Sequence, residues 1–132
     1  MTFIDAVVVK GKSKVFTASL QVRDSQDTGF EPLDLSNYAV AFRIMGAPTG
    51  DAKVLVEHII TQNTDVNEDG LITNPEGGEF SFVVTAEDTH KVGLGEHPIM
   101  IELLDATSLE PEFLLTEGGL RGEFNSIRIV QV

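Results

Sequence analysis

Residues 65–76 read DVNEDGLITNPE, and whether helices or strands flank them decides the fold. Asp65, Asn67 and Asp69 stand at alternate positions, Gly70 is sixth and Glu76 twelfth. That is the order of oxygen donors in a helix–loop–helix calcium site. The residues upstream, VLVEHIITQNT, are rich in β-branched side chains, which favour strands. Downstream, Gly77 and Gly78 open GGEFSFVVT, and paired glycines make a poor helix start. Both flanks read as strands, so the helical calcium site is set aside. Two readings remain. As a hairpin connection, the Asp, Asn and Gly residues bond their own backbone and supply left-handed geometry. As a helix-free calcium loop, Asp65, Asn67, Asp69 and Glu76 offer side-chain oxygens and Leu71 its carbonyl.

Outward from this stretch the dominant period is two. Phe16, Ala18, Leu20 and Val22 share one face of KVFTASLQV, the mark of a half-buried strand. Tyr38, Val40, Phe42 and Ile44 alternate in NYAVAFRIM, and Phe80, Phe82 and Val84 in GEFSFVVT. FIDAVVV, AKVLVEHIITQ, HPIMIELL, EFLLT and EFNSIRIVQV complete a set of about eight strands. One segment reads as helix: in TAEDTHKVG, Thr85 and Asp88 form a capping box with Asp in the usual Glu position, and Gly93 ends the helix after two turns. Short strands separated by Gly, Pro and Asp predict an antiparallel β-sandwich or barrel, residues 1–132 forming one domain.

The 132 residues suffice for one core, and the 42% hydrophobic content is enough to offset chain entropy. A net charge of -12 repels phosphate backbones and anionic bilayers, so neither nucleic acid nor membrane is expected as a partner. With no cysteine, disulfides, thiolate zinc sites and cysteine nucleophiles are excluded. The N-terminus lacks the pattern of a signal peptide.

No catalytic constellation emerges. His58, His90 and His97 lack the spacing of a zinc protease, no G-x-S-x-G elbow occurs, and GLGEH lacks the third glycine of a dinucleotide loop. Glu102, inside the apolar IMIELL, is expected to pair with Arg43 or Arg128 across the sheet or to face outward. The expectation is a protein that is not an enzyme and has no cofactor, calcium apart.

The ordered pieces VFTASLQV, PLDLSNYAVAFRIM, GEFSFVVTAEDTHKVGLGEHPIMIELLDA and GEFNSIRIVQV together resemble the immunoglobulin-like β-sandwich modules of tailed-phage virion proteins. There a P-L-D-L-(S/T) element leads into a V-x-F-R-I strand, and an E-D-T helix turn precedes a G-x-(H/Y)-x-(I/Y)-x-I-E strand. The resemblance covers about residues 13–132 and implies an immunoglobulin-like sandwich. It also implies a virion structural protein, assembled in the host bacterial cytoplasm, whose partners are capsid, tail or baseplate proteins or further copies of itself. In baseplate and fibre proteins such a module usually precedes a fibrous extension. This chain stops where that would begin, which directs the expectation to an accessory or decoration subunit. Docking is expected through the terminal strands: Phe3, Ile4, Val7 and Val9 in the arm of residues 1–12, and Ile127, Ile129, Val130 and Val132 at the other end. The alternative is a bacterial β-sandwich module binding calcium or carbohydrate.

Overall fold

The computed structural model describes residues 6–23, 30–46, 53–115, 120–121 and 126–131. Each expected strand lies in or across them: β1 (Ala6–Val9), β2 (Lys14–Ser19), β5 (Tyr38–Met45), β6 (Val54–Ile60), β8 (Glu79–Val84), β9 (Gly95–Asp105), β10 (Pro111–Leu115) and β12 (Ser126–Val130). Four short strands add to the expected eight: β3 (Gln21–Arg23), β4 (Phe30–Pro32), β7 (Gly70–Asn74) and β11 (Leu120–Arg121). KVFTASLQV, read as one strand, breaks at Leu20. The Leu20 amide there donates to the Gly78 carbonyl, and the Leu20 carbonyl accepts from Leu33.

The strands form two main sheets. One runs β1-β12-β9-β5-β6 with β10 also on β9, and the other runs β2-β8-β7; a small third sheet runs β11-β3-β4. All pairings are antiparallel except β1 with β12. The order β12-β9-β5-β6 facing β2-β8-β7 reproduces the G-F-C-C′ and B-E-D sheets of an immunoglobulin variable-type sandwich. The expected fold class is therefore observed, with more strands than periodicity disclosed.

One core joins the two sheets. Phe42 of β5 stacks on Phe82 of β8 with centroids 4.3 Å apart, and Phe16 of β2 continues the stack at 5.2 Å. Val8, Val40, Ile44, Ile60, Phe80, Leu103, Ile127 and Ile129 fill the rest of the layer. Strand β5 is buried on both faces, because Ala39 and Ala41 pack with Leu104 and Ile59 on the side away from the main core. On that sheet Arg43 binds Glu57 at 2.6 Å and Glu102 at 2.9 Å, so of the two expected partners Glu102 takes Arg43.

The helix α1 (Ala86–Val92) forms where expected, between β8 and β9. The Asp88 amide donates to Thr85 Oγ1 at 3.1 Å, and the Thr85 amide donates to Asp88 Oδ2 at 2.9 Å. Gly93, with φ +84°, receives the chain as it leaves.

Candidate functional site

Strand β6 turns Val56, His58 and Ile60 toward the interior, so alternation places a titratable ring in an apolar row. Its two nitrogens meet two carboxylates. Nδ1 lies 2.9 Å from Asp69 Oδ1, and Nε2 lies 2.7 Å from Asp88 Oδ2. Burial pulls the His58 pKa down, but the hydrogen bonds and charges of Asp88 and Asp69 outweigh it, and the net direction is up from 6.5. Burial likewise pushes the Asp88 carboxyl up. Its bonds from His58 and from the Thr85 amide prevail, and its pKa falls below 3.8. When protonated, the ring donates from both nitrogens to these carboxylates and has no lone pair left for a metal. Chemically the trio is a clamp. It ties β6 to the turn before β7 and to the first turn of α1.

This clamp decides the geometry of the stretch quoted at the outset. Asp65 Oδ1 accepts from the Asn67 amide at 2.8 Å, and the Asp65 carbonyl accepts from the amides of Glu68, Asp69 and Gly70. Asp69 turns to His58, Leu71 enters β7 opposite Ser81, and Glu76 sits exposed in the turn between β7 and β8. The stretch is thus a turn, a strand and a second turn. Among the described residues no group of three or more His, Cys, Asp or Glu is placed to hold a metal ion.

Gly70, the sixth residue of the calcium pattern, has another explanation. Its φ is +133°, and a Cβ there would lie 2.1 Å from the Ser81 carbonyl oxygen and 2.8 Å from Phe82 Cα. The backbone of β8 excludes any side chain. Gly70→Ala is expected to cost about 1–3 kcal/mol in strain, before the displacement of β8 is added. Urea denaturation measures it, and a loss within about 0.5 kcal/mol, the range of an ordinary surface change, would contradict this account of Gly70.

The same end of the molecule carries the N-terminal strand. The turn between β1 and β2 rests on α1: the Gly11 amide donates to Thr89 Oγ1 at 2.8 Å, and the Ala86 amide donates to Ser13 Oγ at 2.9 Å. The clamp thereby positions α1, and α1 positions the turn. Among the described residues β1 pairs only with β12, so its other edge faces outward. Val8 points into the core, while Val7 is 41% exposed and Val9 half-buried. Lys14 reaches back so that its Nζ lies 3.3 Å from the Val7 carbonyl, which partly covers that edge.

The structure divides the expected docking residues. Ile127 and Ile129 are wholly buried, since β12 lies between β1 and β9 and turns both side chains into the core. Those two are corrected from docking residues to core residues: a strand paired on both sides offers no edge. Val130 is half-buried. Phe3, Ile4 and Val132 lie outside the described residues. Of the remaining histidines, His90 is exposed on α1, and His97 Nε2 bonds the Gly93 carbonyl at 3.2 Å.

No protein-family model matches the chain, and no curated protein matches it. The clamp was missed in the reading of the sequence, although His58 stands between Val56 and Ile60 in the inward phase of its strand. A titratable residue in such a phase requires a partner, and that requirement is the signal to search for one.

Proposed function

We infer that this chain is a non-enzymatic structural subunit of a tailed-phage particle, an accessory or decoration protein that docks on capsid or tail proteins. The observation that carries the reading is the outward edge of β1, at the rim of the larger sheet and braced through its turn by α1. An outer strand edge receives an extended partner segment by main-chain pairing, with exposed alternate side chains such as Val7 adding selectivity. A partner strand would displace the exposed Lys14 contact, which is a small cost. The sequence resemblance to immunoglobulin-like virion modules points the same way. So does the hydrogen bonding of His58 to Asp69 and Asp88, which engages both nitrogens of a ring that is buried among the described residues. Assembly would take place in the bacterial cytoplasm, where many copies add avidity to weak contacts.

Quantitative mass spectrometry of gradient-purified particles from the encoding phage tests this. The chain is expected to sediment with the particles in a fixed ratio to a capsid or tail protein. Val7→Asp, a change on an exposed side chain, is expected to lower that ratio. Recovery of the wild type only in the soluble fraction would overturn the reading.

A further inference from the structure

The Lys10 amide donates to the Val130 carbonyl at 2.8 Å. Backbone groups of successive strand residues point to alternate sides, so Val8 and Lys10 face β12, while Val7 and Val9 turn their backbone groups outward. The Val9 carbonyl is taken by the Lys12 amide at 3.0 Å, inside the turn between β1 and β2. The Val7 carbonyl is the acceptor left for a partner strand, and Lys14 Nζ holds it at 3.3 Å.

Lys14 opens β2, in the other main sheet. From there its ammonium reaches across to β1 and lies 5.1 Å from the centroid of the Phe16 ring. Carbonyl and ring are both neutral partners. Lys10 and Lys12 stand beside it in the turn, exposed as Lys14 is. Among the described residues none of the three has a carboxylate within ion-pair distance. The carboxylates on the neighbouring elements are engaged, Glu87 of α1 with Lys91 and Glu96 of β9 with Arg128. The turn itself is fixed to α1 by bonds from the Gly11 amide to Thr89 Oγ1 and from the Ala86 amide to Ser13 Oγ. Three ammonium groups without an anion therefore stand at one end of the β1 edge, in a chain of net charge -12.

We propose that the segment received by β1 is an extended acidic strand. Its backbone takes the place of Lys14 on the Val7 carbonyl, and its Asp or Glu side chains meet Lys10, Lys12 and Lys14. This rests on the reading of β1 as a docking edge and names the chemistry of what docks. Main-chain pairing requires a polypeptide. An ammonium released from a carbonyl is better held by an anion, because a bond between two charged groups is the stronger one. Val7, 41% exposed, offers an apolar contact to the side chain opposite it. A long polyanion such as nucleic acid is repelled by the net charge of -12. A short strand laid on β1 presents its carboxylates to the lysines.

Titration of the isotope-labelled full chain with a capped probe peptide, followed by backbone amide shifts at about 20 mM sodium chloride, tests this; low salt leaves exposed charges weakly screened. The probe alternates valine with threonine and ends in three glutamates, and a control peptide carries glutamine in their place. The acidic probe is expected to shift the amides of Val7, Val9 and residues 10–13, and to bind at least about threefold more tightly than the control, the scale of a few exposed ion pairs. Lys10→Gln with Lys12→Gln is expected to remove most of that preference, and its own spectrum reports whether it is folded. An acidic probe that leaves Val7 and Val9 unshifted, equal binding of the two peptides, or the same shifts from a thymine oligonucleotide would each overturn the proposal. Equal binding at Val7 and Val9 removes only the acidic partner and keeps β1 as a docking edge. Selective binding of the acidic probe there, with the chain absent from purified particles, removes the phage assignment and keeps this proposal.

Discussion

Asp88→Ala is expected to lower the stability of the protein by about 3–5 kcal/mol, the range for removing one partner of a buried ion pair. Asp88 is 4% exposed, and its carboxylate serves two elements at once. It holds His58 Nε2 at 2.7 Å, and it accepts the Thr85 amide of the capping box at 2.9 Å. Without it the imidazolium is left buried with Asp69 alone, and the first turn of α1 loses its reciprocal cap. Urea unfolding measures the loss; a change below about 1 kcal/mol, the level of a surface pair, would show that the clamp contributes little. The same variant is expected to speed amide exchange at Gly11, whose hydrogen bond to Thr89 depends on the position of α1.

The clamp also gives stability a definite pH dependence. His58 has a folded pKa raised above 6.5, so its contribution is fully present below about pH 6.5 and is lost as pH rises through the folded value. Asp88 has a folded pKa below 3.8, so its contribution is present above that pH and is lost as pH falls through the folded value. Both contributions are complete between these limits. The urea midpoint of the wild type is therefore expected to fall on the alkaline side, and His58→Gln to flatten that limb. An alkaline limb with the same slope in both proteins would assign the dependence to other groups.

Phe82→Ala carries the second large effect, about 3–5 kcal/mol. The ring is 1% exposed and lies at the centre of the sandwich, with Phe42 at 4.3 Å, Phe16 at 5.2 Å and Phe80 at 6.1 Å between centroids. Its contact with Phe42 crosses from one main sheet to the other, so truncation opens a cavity where the sheets meet and also removes ring stacking. Phe82→Leu retains most of the buried volume and is expected to cost clearly less. Equal losses for the two variants in urea denaturation would assign the effect to stacking and not to the cavity.

Amino-acid order by itself determined the fold class. Alternation in residues 38–45 and 79–84, β-branched flanks around residues 65–76, and the Thr85–Asp88–Gly93 punctuation are local patterns, and local backbone preference suffices to read them. The additional strands escaped for different reasons: β4 and β11 have too few residues to show a period, β7 was hidden inside a run of turn residues, and β3 lay inside an unbroken alternation that the backbone interrupts at Leu20. The site depended on tertiary structure. His58, Asp69 and Asp88 are separated by 11 and 30 positions from the ring to its partners, and only the packing of β6 against α1 and the turn before β7 brings them together. The same holds for the docking strands. Ile127 and Ile129 read as an available apolar end, yet strand order placed β1 outside β12, and a strand between two neighbours has its backbone bonds satisfied on both sides.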